Sequence, residues 1–444
     1  MKPLYVEDVI DARPFGPFQW LLFAICFLIA LMDGASIQIM GLSAPTMAHS
    51  LGLGPEQLGP VFAASEIGFM AGALFFGPLA DRFGRKSVLV LCTLLFGVAS
   101  LCTAAATGFG MLLALRVLTG IGLGGAAPCF VSLATEFVAQ RLRARVASLL
   151  WAAVPAGGVL AGFAGSRLIP AFGWQAMFQA FGAVTIAGAL LVCLCVPESL
   201  RFLILAGRQG AATQRILARL GVDPRQRGAT LRMREAVPQG MPASHLFTGG
   251  RARFTGFLWL GFFLNFMTLI GVLAWTTTLL RGHGMSLPDT SLVLAWNNVG
   301  GVAGVALAGK LMERFGTFRF LAMLLASGSV AVALTGLAGA QLAFAAACSM
   351  LTGFCVGGAT SGMIGLAALG YPTAIRSTGV GCGLAAGRLG GATGPLLVGA
   401  LVGAGMDTTQ TFALIAMPSL LAAFAVLAMR RAGGAPAPAT AGAR

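Results

Sequence analysis

Four charged residues stand inside long apolar runs: Asp33, Glu66, Arg116 and Arg388. A charge at the centre of a bilayer costs roughly 2.5–3.5 kcal/mol on insertion scales, so each marks a functional position. Arg388 lies about twelve residues into its run, which at the helical rise is about 18 Å and close to the midplane. A guanidinium there grips a carboxylate through two parallel hydrogen bonds. Gly387, Gly390 and Gly391 beside it leave room for a ligand or a neighbouring helix. The competing role is a salt bridge between helices, but no acid of the second half stands at a matching depth. Asp33 is near the middle of the first run. A carboxyl group partly removed from water exchanges a proton closer to neutral pH than a solvated one. That is the chemistry of proton coupling. The competing role is a permanent ion pair with Arg116, and release of that arginine on protonation would itself serve coupling. Glu66, well inside the second run, is a second candidate for the proton, since neighbouring carboxylates hinder each other's ionisation; a position on the polar rim of the cavity suits it equally. Asn265, Asn297 and Asn298 offer amides to a hydroxyl or carboxylate, and Trp296 offers a ring to an aromatic substrate. The same amides serve equally to hold membrane helices together. The Phe and Met residues are expected in the core or against lipid.

Such positions need long helices to hold them. The 444 residues are 57% hydrophobic and only 10% charged, with a mean hydropathy of +0.87. Soluble domains carry about 25% charged residues, so a soluble enzyme is excluded, as is a disordered chain. A membrane helix takes about 20 apolar residues. That predicts an all-α polytopic membrane protein with helices at 17–43, 57–80, 87–107, 110–137, 145–169, 174–196, 254–280, 287–312, 318–337, 341–369, 376–404 and 409–430. The division is an N-terminal six-helix bundle over 1–197, a basic linker over 198–253, a C-terminal six-helix bundle over 254–431 and a disordered tail over 432–444.

Net charge is +15. All but four of the 29 Lys and Arg residues fall at the termini or in the even-numbered connections, the exceptions being Arg116, Arg167, Arg281 and Arg388. The positive-inside rule therefore puts both termini and the linker in the cytoplasm of a bacterial inner-membrane protein. With no soluble domain to carry a binding face, nucleic acid is not an expected partner. Within the linker, Gly210–Leu220 reads either as an amphipathic helix on anionic lipid or, preferentially, as solvated connection. The nine cysteines form no CxxC pair, and His49, His245 and His283 have no metal-ligand spacing. No metal, cofactor or nucleophile–base constellation is expected, and the chain is not expected to be an enzyme.

The two halves repeat each other. Gly77-Pro-Leu-Ala-Asp-Arg-Phe-Gly-Arg-Lys86 follows the second helix, and Gly309-Lys-Leu-Met-Glu-Arg-Phe-Gly-Thr-Phe318 follows the eighth. A duplicated half is a transporter signature, with the substrate site near the midplane between the halves. Carboxylates and arginines at those helix ends suit a latch of charge-assisted bonds. Asp81, Arg82, Arg85, Glu136, Arg145, Glu313, Arg314 and Arg376 are the candidates. The motif resembles the signature of the major facilitator superfamily, and the likeness covers nearly the whole chain. It implies twelve helices in two pseudo-symmetric bundles working by alternating access.

Further stretches narrow the resemblance. They are Asp33-Gly34, Arg116–Gly125, Ser132–Glu136, Pro197–Arg201, Tyr371–Gly379 and Gly387–Pro395. Together they are similar to the aromatic acid:proton symporter family, whose hydroxyphenylpropionate and hydroxybenzoate transporters import aromatic carboxylates. That family has D-G-x-D in its first helix, and here Ser36 stands at the fourth position. The resemblance implies a monomeric, proton-coupled importer of a small organic anion. An exporter of drugs or metabolites shares the fold, as does a sugar porter, for which Pro197–Arg201 argues. Arg388 favours an anionic substrate over both.

Overall fold

A computed structural model describes residues 4–11, 15–207, 210–220, 231–232, 245–248, 251–372 and 375–431. Among these, twelve helices are long and apolar enough to cross a membrane. The first six are α2 (Pro17–Leu51), α3 (Pro55–Phe83), α4 (Arg85–Thr103), α5 (Phe109–Glu136), α6 (Gln140–Phe172) and α7 (Trp174–Cys195). The second six are α10 (Ala252–Gly282), α11 (Leu287–Phe315), α12 (Thr317–Thr335), α13 (Leu342–Gly370), α14 (Arg376–Gly403) and α15 (Thr408–Arg431). Short helices α1 (Val6–Asp11), α8 (Leu200–Leu205) and α9 (Ala211–Arg219) complete the set. Two-residue strands pair in parallel, Leu4 with Leu231 and Tyr5 with Arg232.

The apolar runs fold as helices because hydrocarbon offers no partner to a backbone N–H or C=O. Local residues set the ends. Pro17 and Pro55 open α2 and α3, and Gln19 and Gln57 accept from the backbone N–H of Gly16 and Gly54. Gly84 and Gly316, the last glycines of the two repeat motifs, have φ of 101° and 83°. Only glycine adopts that backbone freely, and each provides the hinge between consecutive helices, α3–α4 and α11–α12.

The duplication is visible in the packing. Within the first bundle α2 meets α6, α3 meets α5 and α4 meets α7; within the second α10 meets α14, α11 meets α13 and α12 meets α15. Between bundles, α3 meets α14, α6 meets α11 and α2 meets α10. One apolar cluster joins the bundles, with Ile39, Met40, Leu58 and Phe62 against Val272, Trp275, Leu279 and Val398. It lies at the end away from the chain termini. Toward the terminal face, each bundle has its own core, around Cys92, Phe130 and Leu133 in one and Phe262, Leu321 and Met363 in the other. The molecule is closed at the loop face and parted at the terminal face.

Three expectations change. Helix α2 continues to Leu51 through Pro45, because Gly52 at φ 64° is the first residue placed to stop it. Arg141, Arg143 and Arg145 lie in the first turns of α6 rather than in a loop. The Gly210–Leu220 stretch is a helix whose Ile216, Leu217 and Leu220 are buried in the core of the first bundle. Its apolar face has a protein surface to cover it, so it neither lies on lipid nor runs free. The other linker arginines at 208, 225, 227 and 234, and the tail over 432–444, lie outside the described residues.

Candidate functional site

Helices α3 and α14 bring Glu66 and Arg388 together across the two bundles. Arg388 Nη1 donates to Glu66 Oε2 at 3.0 Å, with side chains 15% and 5% exposed. The guanidinium carbon lies 3.7 Å from the Phe69 ring centroid and 5.8 Å from that of Phe266. A ring face attracts a cation, most strongly where water is excluded. Glycines make the arrangement possible. A Cβ on Gly391 would stand 3.3 Å from Glu66 Oε2, and one on Gly390 only 1.9 Å from the Phe263 carbonyl. The acid that the sequence did not offer at the depth of Arg388 comes from the opposite half.

Asp33 is buried on α2, and its Oδ1 has no hydrogen-bond partner. It feels the charges of both Arg388 and Glu66. Ser36 and Glu66 line one small cavity with Ser65, Phe62 and Ile270. The acid lacking at position 36 thus has a carboxylate facing the same space from the next helix.

Arg116 does not pair with Asp33. It donates to Thr103 Oγ1 at 2.7 Å and stacks over Phe178 at 5.1 Å. Its face of α5 turns toward α4 and α7, inside the first bundle. Asn265 donates to Thr360 Oγ1 at 2.7 Å and Asn297 to the Ser349 carbonyl at 2.9 Å, both within the second bundle. Asn298 crosses between bundles, donating to Gln38 Oε1 at 3.1 Å. Trp296 is 40% exposed, as is Leu307 at 44%. Eleven residues are about three helical turns, so the two share one outward apolar face and Trp296 stands away from the site.

Of the expected latch, Arg85 binds Glu136 at 3.2 Å and lies 4.0 Å from the exposed Asp81. The other Glu136 oxygen accepts from Ser199 Oγ and the Arg201 backbone N–H. Glu198 accepts from the backbone N–H of Lys86 and of Ser199. This network stays inside the first bundle and fixes α8 to the ends of α4 and α5. Arg145, Glu313, Arg314 and Arg376 are exposed and make no ion pair among the described residues. Arg82 and Arg314 stack on the neighbouring Phe83 and Phe315. The parted terminal face leaves those charges in water with no opposing bundle to bind.

Sequence reasoning missed Gln38, Phe69 and Thr103. Gln38 carried a readable signal, as a lone amide between Ile37 and Ile39 in an apolar run. Phe69 lies one turn from Glu66, but its type alone does not separate it from a core phenylalanine.

Comparison with known proteins accords with this architecture. A family profile described as Major Facilitator Superfamily matches residues 26–340 and 258–443. The 4-hydroxybenzoate transporter of Pseudomonas aeruginosa is 34% identical over 431 residues, covering 96% of each chain. The gallate transporter of Pseudomonas putida is 35% identical over 430 residues, covering 96% of this chain and 95% of that one. Among solved structures, a bacterial homologue of the lysosomal transporter Spinster, in an inward-facing unoccupied conformation, superposes with a TM-score of 0.75 at 18% identity. It covers 95% of this chain and 99% of the other. The chain belongs to the Major Facilitator Superfamily, and it is a multi-pass membrane transporter rather than an enzyme.

Proposed function

We propose that this transporter imports a small aromatic carboxylate together with protons. The observation that carries the reading is the partly buried Arg388 guanidinium at the boundary between the bundles, stacked on Phe69 and held among the described residues by Glu66. Its planar fork matches a carboxylate, and the rings of Phe69 and Phe266 suit an aromatic ring beside it. The names of the relatives, which transport 4-hydroxybenzoate and gallate, support the same substrate class. In this reading Asp33 and Glu66 are the carboxyl groups available to carry the proton. Asn298 of α11 and Gln38 of α2 make a second polar contact between the bundles.

Alternating access follows from the two seams. Bundles joined at one face and parted at the other rock about the midplane site. With both termini in the cytoplasm, as the distribution of arginine and lysine indicates, the state described is open to the cytoplasm and closed to the outside. The charged ends on the parted face, Asp81, Arg145, Glu313, Arg314 and Arg376, would then meet across the bundles in the opposite state.

A sugar porter or an exporter of cationic drugs is the rival. Pro197–Arg201, the stretch that suggested sugars, is engaged with Glu136 and Lys86 at the ends of α5 and α4. A thermal-shift screen of the purified protein against aromatic acids, sugars and cationic drugs decides between them. A ligand of the folded state raises the melting temperature. Hydroxybenzoates are expected to raise it and sugars and cations to leave it unchanged. A shift with sugars alone would refute the reading.

A further inference from the structure

We infer that Glu66 is a built-in stand-in for the substrate carboxylate, so that one guanidinium, Arg388, is held either by Glu66 or by the substrate, and Glu66 carries the coupled proton. This rests on the proposal that Arg388 binds the substrate and assigns the exchange to one residue.

The argument starts from the pair itself. Glu66 Oε2 already occupies the position on Arg388 Nη1 that a carboxylate ligand needs, at 3.0 Å. The two residues belong to different bundles, so they meet on the boundary where a substrate must sit. Glycine at 391 keeps Glu66 close without filling the space around it. The cavity that Glu66 lines includes Ser36 and Ser65.

Charge balance then gives a coupling rule. An isolated ion in low-dielectric surroundings is strongly disfavoured. With the pair intact, neither charge is isolated, and the empty transporter can reorient. With the substrate anion on Arg388 and a proton on Glu66, both charges are again matched, and the loaded transporter can reorient. A proton alone leaves Arg388 unmatched, and an anion alone leaves Glu66 unmatched. Both half-loaded forms are blocked. One anion therefore moves with one proton at this site, with no covalent step: the proton binds a Glu66 oxygen as that oxygen leaves the guanidinium.

The groups facing Glu66 are few. From α14 comes Arg388, and from α2 comes Asp33. Helix α5 meets α3 through Val117, Gly120 and Ile121, while its Arg116 turns to Thr103. Helix α4 carries Arg85 and Lys86 at its far end, and α10 contributes the apolar Ile270 and Ala274. Asp33 is thus the one rival for the proton among the described residues.

Equilibrium binding of radiolabelled benzoate to the full-length protein, between pH 5.5 and 8.5, tests the inference. Benzoate is ionised throughout, so any dependence belongs to the protein. The wild type is expected to lose affinity toward high pH, with a limiting slope of about tenfold per pH unit, because ionised Glu66 competes for Arg388. Glu66→Gln and Glu66→Ala should each remove the slope and bind benzoate at least about tenfold more tightly at pH 8.5. In the wild type, adding benzoate to weakly buffered protein should take up one proton per anion bound, which tests the exchange even if neither variant folds. A wild-type slope kept by both Glu66 variants, a slope removed by Asp33→Asn instead, or no proton uptake would each overturn the inference. A double variant with Arg388→Ala and Glu66→Gln removes both members of the pair. Benzoate binding by that protein would sink the assignment of Arg388 itself, which is a different failure.

Discussion

At the scale of single residues, a buried ion pair is more fragile to the loss of one member than of both. Removing one partner typically costs about 3–5 kcal/mol, whereas removing both is often nearly neutral. Arg388→Ala alone should therefore lower the melting temperature, and adding Glu66→Gln should restore it without restoring substrate binding. Thermal melts and binding on the same samples check this. Arg388→Lys should keep the fold and bind a carboxylate about ten- to a hundredfold more weakly, since a point charge loses bidentate geometry. Near-normal affinity would show that charge alone suffices. Arg388, Asp33 and Glu66 were legible as functional because charge in an apolar run is rare. Their pairing was not. Glu66 and Arg388 are 322 positions apart, and helical phase read from one sequence does not say which helices face each other. Trp296 and Arg116 show the same limit: both are conspicuous by type, yet Trp296 is 40% exposed on the outward face of α11 and Arg116 binds Thr103.

At the scale of helices, two glycines of α2 report on different contacts. A Cβ on Gly34 would lie 1.7 Å from the Val154 carbonyl of α6, inside the first bundle. A Cβ on Gly41 would lie 2.2 Å from the Leu273 carbonyl of α10, across the closed seam. Gly34→Ala should therefore destabilise the bundle in every conformation and lower the yield of folded protein. Gly41→Ala should instead wedge the closed face and shift the population toward the opposite state, leaving melting less affected. Spin labels at His49 and Arg281 on the closed face, and at Arg145 and Glu313 on the parted one, would report the shift. Unchanged distances would remove Gly41 from the seam account. Helix positions were readable from apolar runs of bilayer length, and the G-x-L-x-[DE]-R-F-G repeat gave the pseudo-symmetry. The overhangs of α2 and α6 were not readable, because both extend past the apolar region, α2 through Pro45 and α6 through Pro170, where the sequence signals an end. Helix α9 was misread because its burial depends on a bundle surface distant in sequence.

At the scale of the whole molecule, a transporter must hold two conformations within a few kcal/mol of each other. The closed face is held by apolar packing around Phe62 and Trp275, with ring centroids 5.6 Å apart. Among the described residues no one apolar cluster joins the bundles at the parted face, where exposed charged side chains stand beside Phe83 and Phe315. Asp81→Asn should slow turnover more than it weakens binding, since exposed Asp81 touches no part of the site. Stopped-flow transport rates beside equilibrium affinities check that split. The account as a whole stands or falls on coupled import. Purified protein in proteoliposomes, loaded with an external aromatic acid such as 4-hydroxybenzoate and given an inward proton gradient, measures it directly. The account predicts uptake above the external concentration, collapse of that accumulation when a protonophore dissipates the gradient, and none in the Arg388→Ala, Glu66→Gln protein. Accumulation that survives the protonophore, or that persists in the double variant, would contradict it.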